Sequence, residues 1–106
     1  MENRVPALSQ HANVYDTALV LVERKGFRVW QDQSRRTFWA EKDGWDFLAD
    51  DPLGLLGLVT IWEHLAPSEY SEYWWRLRRE RSYSKLPTTK PTYAPVYRAK
   101  SSQTEA

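Results

Sequence analysis

Residues 27–49 contain three short runs, 27–32, 37–42 and 45–49, in which aromatic and β-branched residues alternate with polar ones. Period-two alternation is the pattern of a strand with one buried face. Between the second and third runs lies Asp43-Gly44, a pair suited to a two-residue type I′ turn because both central positions of that turn need positive φ. Closing that turn sets Lys42 opposite Trp45, Ala40 opposite Phe47 and Trp39 opposite Leu48. A first hairpin turning through 33–36 sets Trp30 opposite Trp39, Val29 opposite Ala40 and Arg28 opposite Glu41. The charge pair at Arg28 and Glu41 favours this register, while Glu41 against Asp46 opposes it slightly. The chain is thereby directed into a three-stranded antiparallel meander.

Alternation then sorts the side chains. Phe27, Val29, Phe38, Ala40, Trp45, Phe47 and Ala49 share the face that must meet a core. The other face carries two polar bands, Arg28, Glu41 and Asp46 at one end and Asp32, Thr37 and Asp50 at the other. Between them Trp30, Trp39 and Leu48 form an apolar row across the sheet.

Helical patterns flank the meander. Val14, Ala18, Leu21, Val22 and Lys25 recur at helical spacing over 14–25, with Asn13 as the expected N-cap, Asp16 in a capping-box position and Gly26 as the left-handed C′ residue. Asp51-Pro52 is an N-cap followed by proline at the first helical position, opening a second helix to about residue 65. That helix is apolar nearly all round, which calls for cover on more than one side. Gly54 and Gly57 within it suggest close approach by another element. Tyr70, Tyr73, Trp74 and Leu77 form an i, i+3, i+4, i+7 stripe, so a third helix is expected over 69–81. The expected fold is α+β and two-layered, in the order α-β-β-β-α-α. A leader over 1–12 precedes this single domain at 13–81. A basic tail over 82–106, with Pro87, Pro91 and Pro95 at four-residue intervals, is expected to be extended or disordered.

A formal net charge of +1 conceals an asymmetry. Residues 1–75 hold 7 Lys/Arg against 12 Asp/Glu, and residues 76–106 hold 8 against 2. Such a split fits either a basic arm for an acidic partner or a tail solvated beside an acidic body. The chain has no Cys, which excludes disulfides, thiolate metal sites and a cysteine nucleophile. No apolar run is long enough to span a bilayer, and the first ten residues lack the apolar core of a secretory signal, so a cytoplasmic protein is expected.

Catalytic chemistry finds little to work with. His11 and His64 are the only imidazoles, and the latter reads as a cation at a helix C-terminus. Glu41, Asp43, Asp46, Asp50 and Asp51 cluster without the spacing of a calcium loop, and Asp43 and Asp51 are explained by the turn and the cap. Neither a phosphate loop nor a nucleophile elbow is present. The expectation is a non-catalytic protein with no cofactor or metal. A small-molecule pocket beneath Trp45 and Trp62 is the third reading, which a visible cavity there would support.

The leading expectation is a protein-interaction module, a homodimer or a subunit of a larger assembly. Its partner-binding residues would be Trp30, Trp39 and Leu48, joined by Trp74 and Trp75. Polar-rimmed apolar patches rich in Trp commonly mark such sites. The same row could instead be covered by the third helix or the tail. The alternative function is a nucleic-acid-associated regulator using Arg76, Arg78, Arg79 and Arg81, with Arg35 and Arg36, and stacking bases on the sheet aromatics.

The order helix, three strands, helix over 13–65 resembles the double-stranded-RNA-binding domain and its partial relatives among small bacterial antitoxins. In that family a lysine cluster opens the last helix and grips phosphates. Here Asp50-Asp51-Pro52-Leu53-Gly54 stands in that place with the opposite charge. Arg35 and Arg36 alone match the family's minor-groove loop. The resemblance therefore implies topology rather than RNA binding.

Overall fold

The structure, a computed structural model, describes residues 7–77 and 83–96. The chain divides into two units, Ser9–Arg76 and a second that comprises Met1–Leu8 and Leu77–Ala106. The first holds α1 (Ala12–Arg24), β1 (Arg28–Asp32), β2 (Thr37–Lys42), β3 (Trp45–Ala49) and α2 (Pro52–Leu65). In the second, Tyr83–Lys85 form one 3-10 turn, residues 86–95 carry no helix or strand, and Lys90 Nζ lies 5.4 Å from the Tyr93 ring centroid.

The strands pair antiparallel in the order β1-β2-β3. Every pairing expected from alternation is present, from Arg28 opposite Glu41 to Lys42 opposite Trp45. Asp43 and Gly44 take φ of 52° and 87°, as a type I′ turn requires. One face of this sheet packs on helices to make a two-layer α+β domain. Val22 of α1, Phe27, Ala40, Phe47, and Leu55 and Val59 of α2 form the buried core, with Val29, Phe38, Trp45 and Ala49 packed around it. α2 contacts β2, β3 and α1, while α1 also contacts β1.

Helix α2 starts as its sequence dictates. Asp51 is extended and accepts the Gly54 N–H at 2.7 Å, and Gln10 Nε2 donates to the other carboxylate oxygen at 2.6 Å. At Gly54 another element does approach closely, since a Cβ there would stand 3.3 Å from Ala49 Cβ. At Gly57 none does; its Cβ direction is open space.

Helix α1 departs from expectation at its start. His11, not Asn13, is the N-cap residue, and no side chain caps the helix; instead the Val14 N–H donates to the His11 carbonyl at 2.9 Å. Ala18 and Val22 are buried as expected, but Leu21 lies outside the buried stripe, 100° of helical turn away from Val22. At the C-terminus Gly26 has φ 93°, and its N–H closes on the Glu23 carbonyl at 2.9 Å.

The third helix is absent from residues 69–77, and 78–82 lie outside the described residues. Tyr73 takes φ 60°, which no right-handed helix tolerates. The Trp74 N–H donates to the Ser71 carbonyl at 3.1 Å and the Arg76 N–H to the Tyr73 carbonyl at 3.0 Å, two tight turns in succession. The stretch Tyr-Ser-Glu-Tyr-Trp-Trp is poor in strong helix formers, so side-chain burial decides its path. Trp74 alone of the expected stripe turns inward. Its ring meets Trp45 at 5.4 Å and Phe47 at 6.3 Å, both edge-on.

Candidate functional site

Alternation along the strands leaves Arg28, Trp30 and Asp32, then Thr37, Trp39 and Glu41, then Asp46 and Leu48 on the face away from the helices. Trp30 and Trp39 stack with centroids 5.8 Å apart and planes within 6° of parallel. Trp30 is 45% exposed and Leu48 46%, while Trp39 between them is half-buried. Trp74 packs on the core-side residues Trp45 and Phe47, so the 69–76 segment does not close over the row.

The row continues around β3, an edge strand of the sheet. There a groove of about 300 Å³ is walled by Phe47 and Leu48 from β3, Leu58 and Ile61 from α2, and Trp74 and Trp75. Trp75 is 49% and Ile61 42% exposed, so neither α1 nor the segment after α2 completes the cover that this apolar helix calls for. Of the five residues singled out as partner-binding, Leu48, Trp74 and Trp75 line this groove, and Trp30 and Trp39 extend it across the open face.

The basic residues do not gather in the same way. Arg35 and Arg36 sit in the β1–β2 turn, Arg36 with φ 58°. Arg76 lies over the Tyr73 ring at 4.3 Å and the Trp75 ring at 5.5 Å, using its guanidinium within the chain. Arg78, Arg79 and Arg81 lie outside the described residues. On the open face of the strands the cation is Arg28, whose Nε and Nη2 donate to Glu41 Oε1 at 2.8 and 2.6 Å.

Glu41 also accepts the Gly44 N–H through Oε2 at 2.9 Å. That amide, and then Arg28, hold its carboxyl below the usual 4.5. Asp32 is likewise held below 3.8, chiefly by the Ser34 hydroxyl at 2.8 Å. A carboxyl whose folded pKa is depressed binds protons more weakly in the native state than in the unfolded one. Its contribution is present above the ordinary carboxylate range and lost as pH falls through the folded value. Glu41→Gln should therefore flatten the loss of thermal stability as pH is lowered from about 5 toward 3. Melting temperatures across that range check this; parallel curves for the two proteins would contradict it.

One position was not foreseen as structural. Lys42 shares the core-side face with Phe38 and Ala40, and its Nζ donates to the Lys25 carbonyl at 2.8 Å. It thereby caps the C-terminus of α1, lying 5.8 and 5.9 Å from the Phe27 and Trp62 ring centroids. The hollow beside Trp45 does not lie beneath Trp62, where the third reading would have placed a pocket. Trp62 packs edge-on against Phe27 at 5.4 Å, and the hollow beside Trp45 has Trp74 as its other indole wall instead. Among the described residues, no group of three His, Asp or Glu side chains could hold a metal ion, and no helix is long and apolar enough to cross a membrane.

Compared with protein-family models, with curated proteins and with solved structures, the chain matches none.

Proposed function

We propose that this chain is a non-catalytic, cytoplasmic protein-interaction module, a homodimer or a subunit of a larger assembly, and that it binds through the open sheet face and the β3 edge. The observation that carries this reading is the continuous apolar surface from Trp30 across Trp39 and Leu48 to Trp75 and Ile61. Residues of this kind at the centre of a patch, with Glu41 and Asp46 at the rim, are the composition of an interface core. A nucleic-acid platform is less well supported. Trp30 and Trp39 already cover one face of each other, Arg28 is bonded to Glu41, and Asp46 would repel a phosphate backbone.

Sedimentation equilibrium over about 1 to 200 µM tests the homodimer. The expected result is a reversible dimer that Leu48→Lys returns to monomer. If the protein is monomeric throughout, a photo-cross-linking residue at position 48 in the source cells tests the hetero-assembly, with an adduct of discrete mass expected. A monomer that also forms no adduct overturns the reading. Saturable quenching of tryptophan fluorescence by a mixed-sequence single-stranded oligonucleotide, weakening with salt, would favour nucleic acid instead.

A further inference from the structure

We infer that the hollow beside the β2–β3 turn receives the cationic head of a lysine or arginine side chain presented by a basic peptide. The hollow has a volume of about 460 Å³ and lies between the Asp43-Gly44 turn and the 68–74 segment. Its walls are aromatic. Trp45 and Trp74 meet at 75° with centroids 5.4 Å apart, and Tyr70 contributes a third, largely exposed ring. Its lining also contains the acidic residues Asp43, Asp46 and Glu69.

These three acids are unpaired and also line a hollow walled by indole rings. Two acids of the same unit are held in ion pairs, Glu41 with Arg28 and Glu63 with Lys25 at 2.8 Å. Among the described residues, Asp43, Asp46 and Glu69 have neither an ion pair nor a side-chain hydrogen bond. Nor do they gather closely enough to hold a metal ion. Unpaired negative charge beside ring faces attracts one class of occupant, an organic cation, because the charge and the ring quadrupoles pull in the same direction. The chain already uses this contact internally, with Lys42 over Phe27 and Trp62 and Arg76 over Tyr73. The hollow is wide enough for the aliphatic stem of a long side chain along the rings, with its head at the carboxylates. The hollow borders the open sheet face at Asp46 and shares Phe47 and Trp74 with the neighbouring groove, but it lies within one chain and its occupation does not depend on self-association.

The test uses the full ¹⁵N-labelled chain and the peptide acetyl-Lys-Gly-Lys-Gly-Lys-amide, read at the indole N–H resonances of Trp45 and Trp74. Saturable shifts of those two signals are expected, with Trp30 unmoved. Asp43→Asn, Asp46→Asn and Glu69→Gln should each weaken binding by about 1.5- to 5-fold, as exposed charge pairs do. Asp43→Asn leaves the turn intact because Asn tolerates the left-handed conformation. Tyr70→Ala should weaken binding with no change in melting temperature, and Leu48→Lys should bind as the parent does. The inference is overturned by unshifted signals at about 10 mM peptide. It is equally overturned by equal binding of the lysine-acetylated peptide or of the triple carboxylate variant, or by loss of binding in Leu48→Lys. Tetramethylammonium binding as tightly as the peptide would identify a receptor for small ammonium ions and overturn the peptide assignment.

Discussion

Leu55→Ala is expected to lower stability by about 2–5 kcal/mol, enough to bring a unit of this size close to unfolding at room temperature. Leu55 is fully buried in α2, where it belongs to the cluster of Val22, Phe27, Ala40, Phe47 and Val59. Those neighbours come from α1, two strands, α2 itself and the segment joining α1 to the sheet, so the side chain joins every layer of the domain. Removing three carbons loses their transfer energy and leaves a void that two helices and a sheet cannot close without moving together. Ile61→Ala, on the same helix but 42% exposed, should cost less than about 1 kcal/mol. Urea denaturation of the two variants compares two truncations to alanine on the same helix. Midpoints shifted equally would mean that α2 is not seated by Leu55, and the core described here would be wrong.

How much of this was legible in the sequence follows the range of the forces involved. The register of the sheet was readable because Asp43-Gly44 is a local device and a period of two leaves no freedom once one pairing is set. The α2 start was equally local, resting on one side chain and one proline. The Trp30–Trp39–Leu48 row followed from register alone. Lys42 was missed although alternation carries the signal, since it falls beside Ala40 on the core side, where a lysine demands a partner; the α1 carbonyl that it finds belongs to a distant turn. The groove and the hollow were not legible. Both are walled by Trp74, and where Trp74 goes depends on rings of β3 that lie some thirty residues earlier in the chain. Helical spacing of Tyr70, Tyr73, Trp74 and Leu77 described a stripe that the local chain had little propensity to form, and the long-range contacts of Trp74 with Trp45 and Phe47 displaced it.

Trp74→Ala is expected to cost about 3 kcal/mol, the lower end for a large aromatic because the ring is half-buried. Trp75→Ala, one position further and half exposed, should cost less than about 1 kcal/mol. The contrast alone would also arise on a helix with Trp74 inward, so a second pair of substitutions separates the two geometries. In a helix, Glu72→Gly and Tyr73→Gly would each destabilise by about 1 kcal/mol. In the observed turn Tyr73 sits at φ 60°, where a side chain costs about 1–2 kcal/mol that glycine does not incur. Tyr73→Gly gives up the ring contacts to Trp75 and Arg76, both partly solvated, and raises the entropy of the unfolded chain. The opposing effects leave Tyr73→Gly neutral or slightly stabilising, while Glu72→Gly still destabilises. Denaturation midpoints in which both glycines cost the same would restore the helix and dissolve the two sites that Trp74 walls. Opposite signs would establish that this one indole holds the segment after α2 against the edge of the sheet.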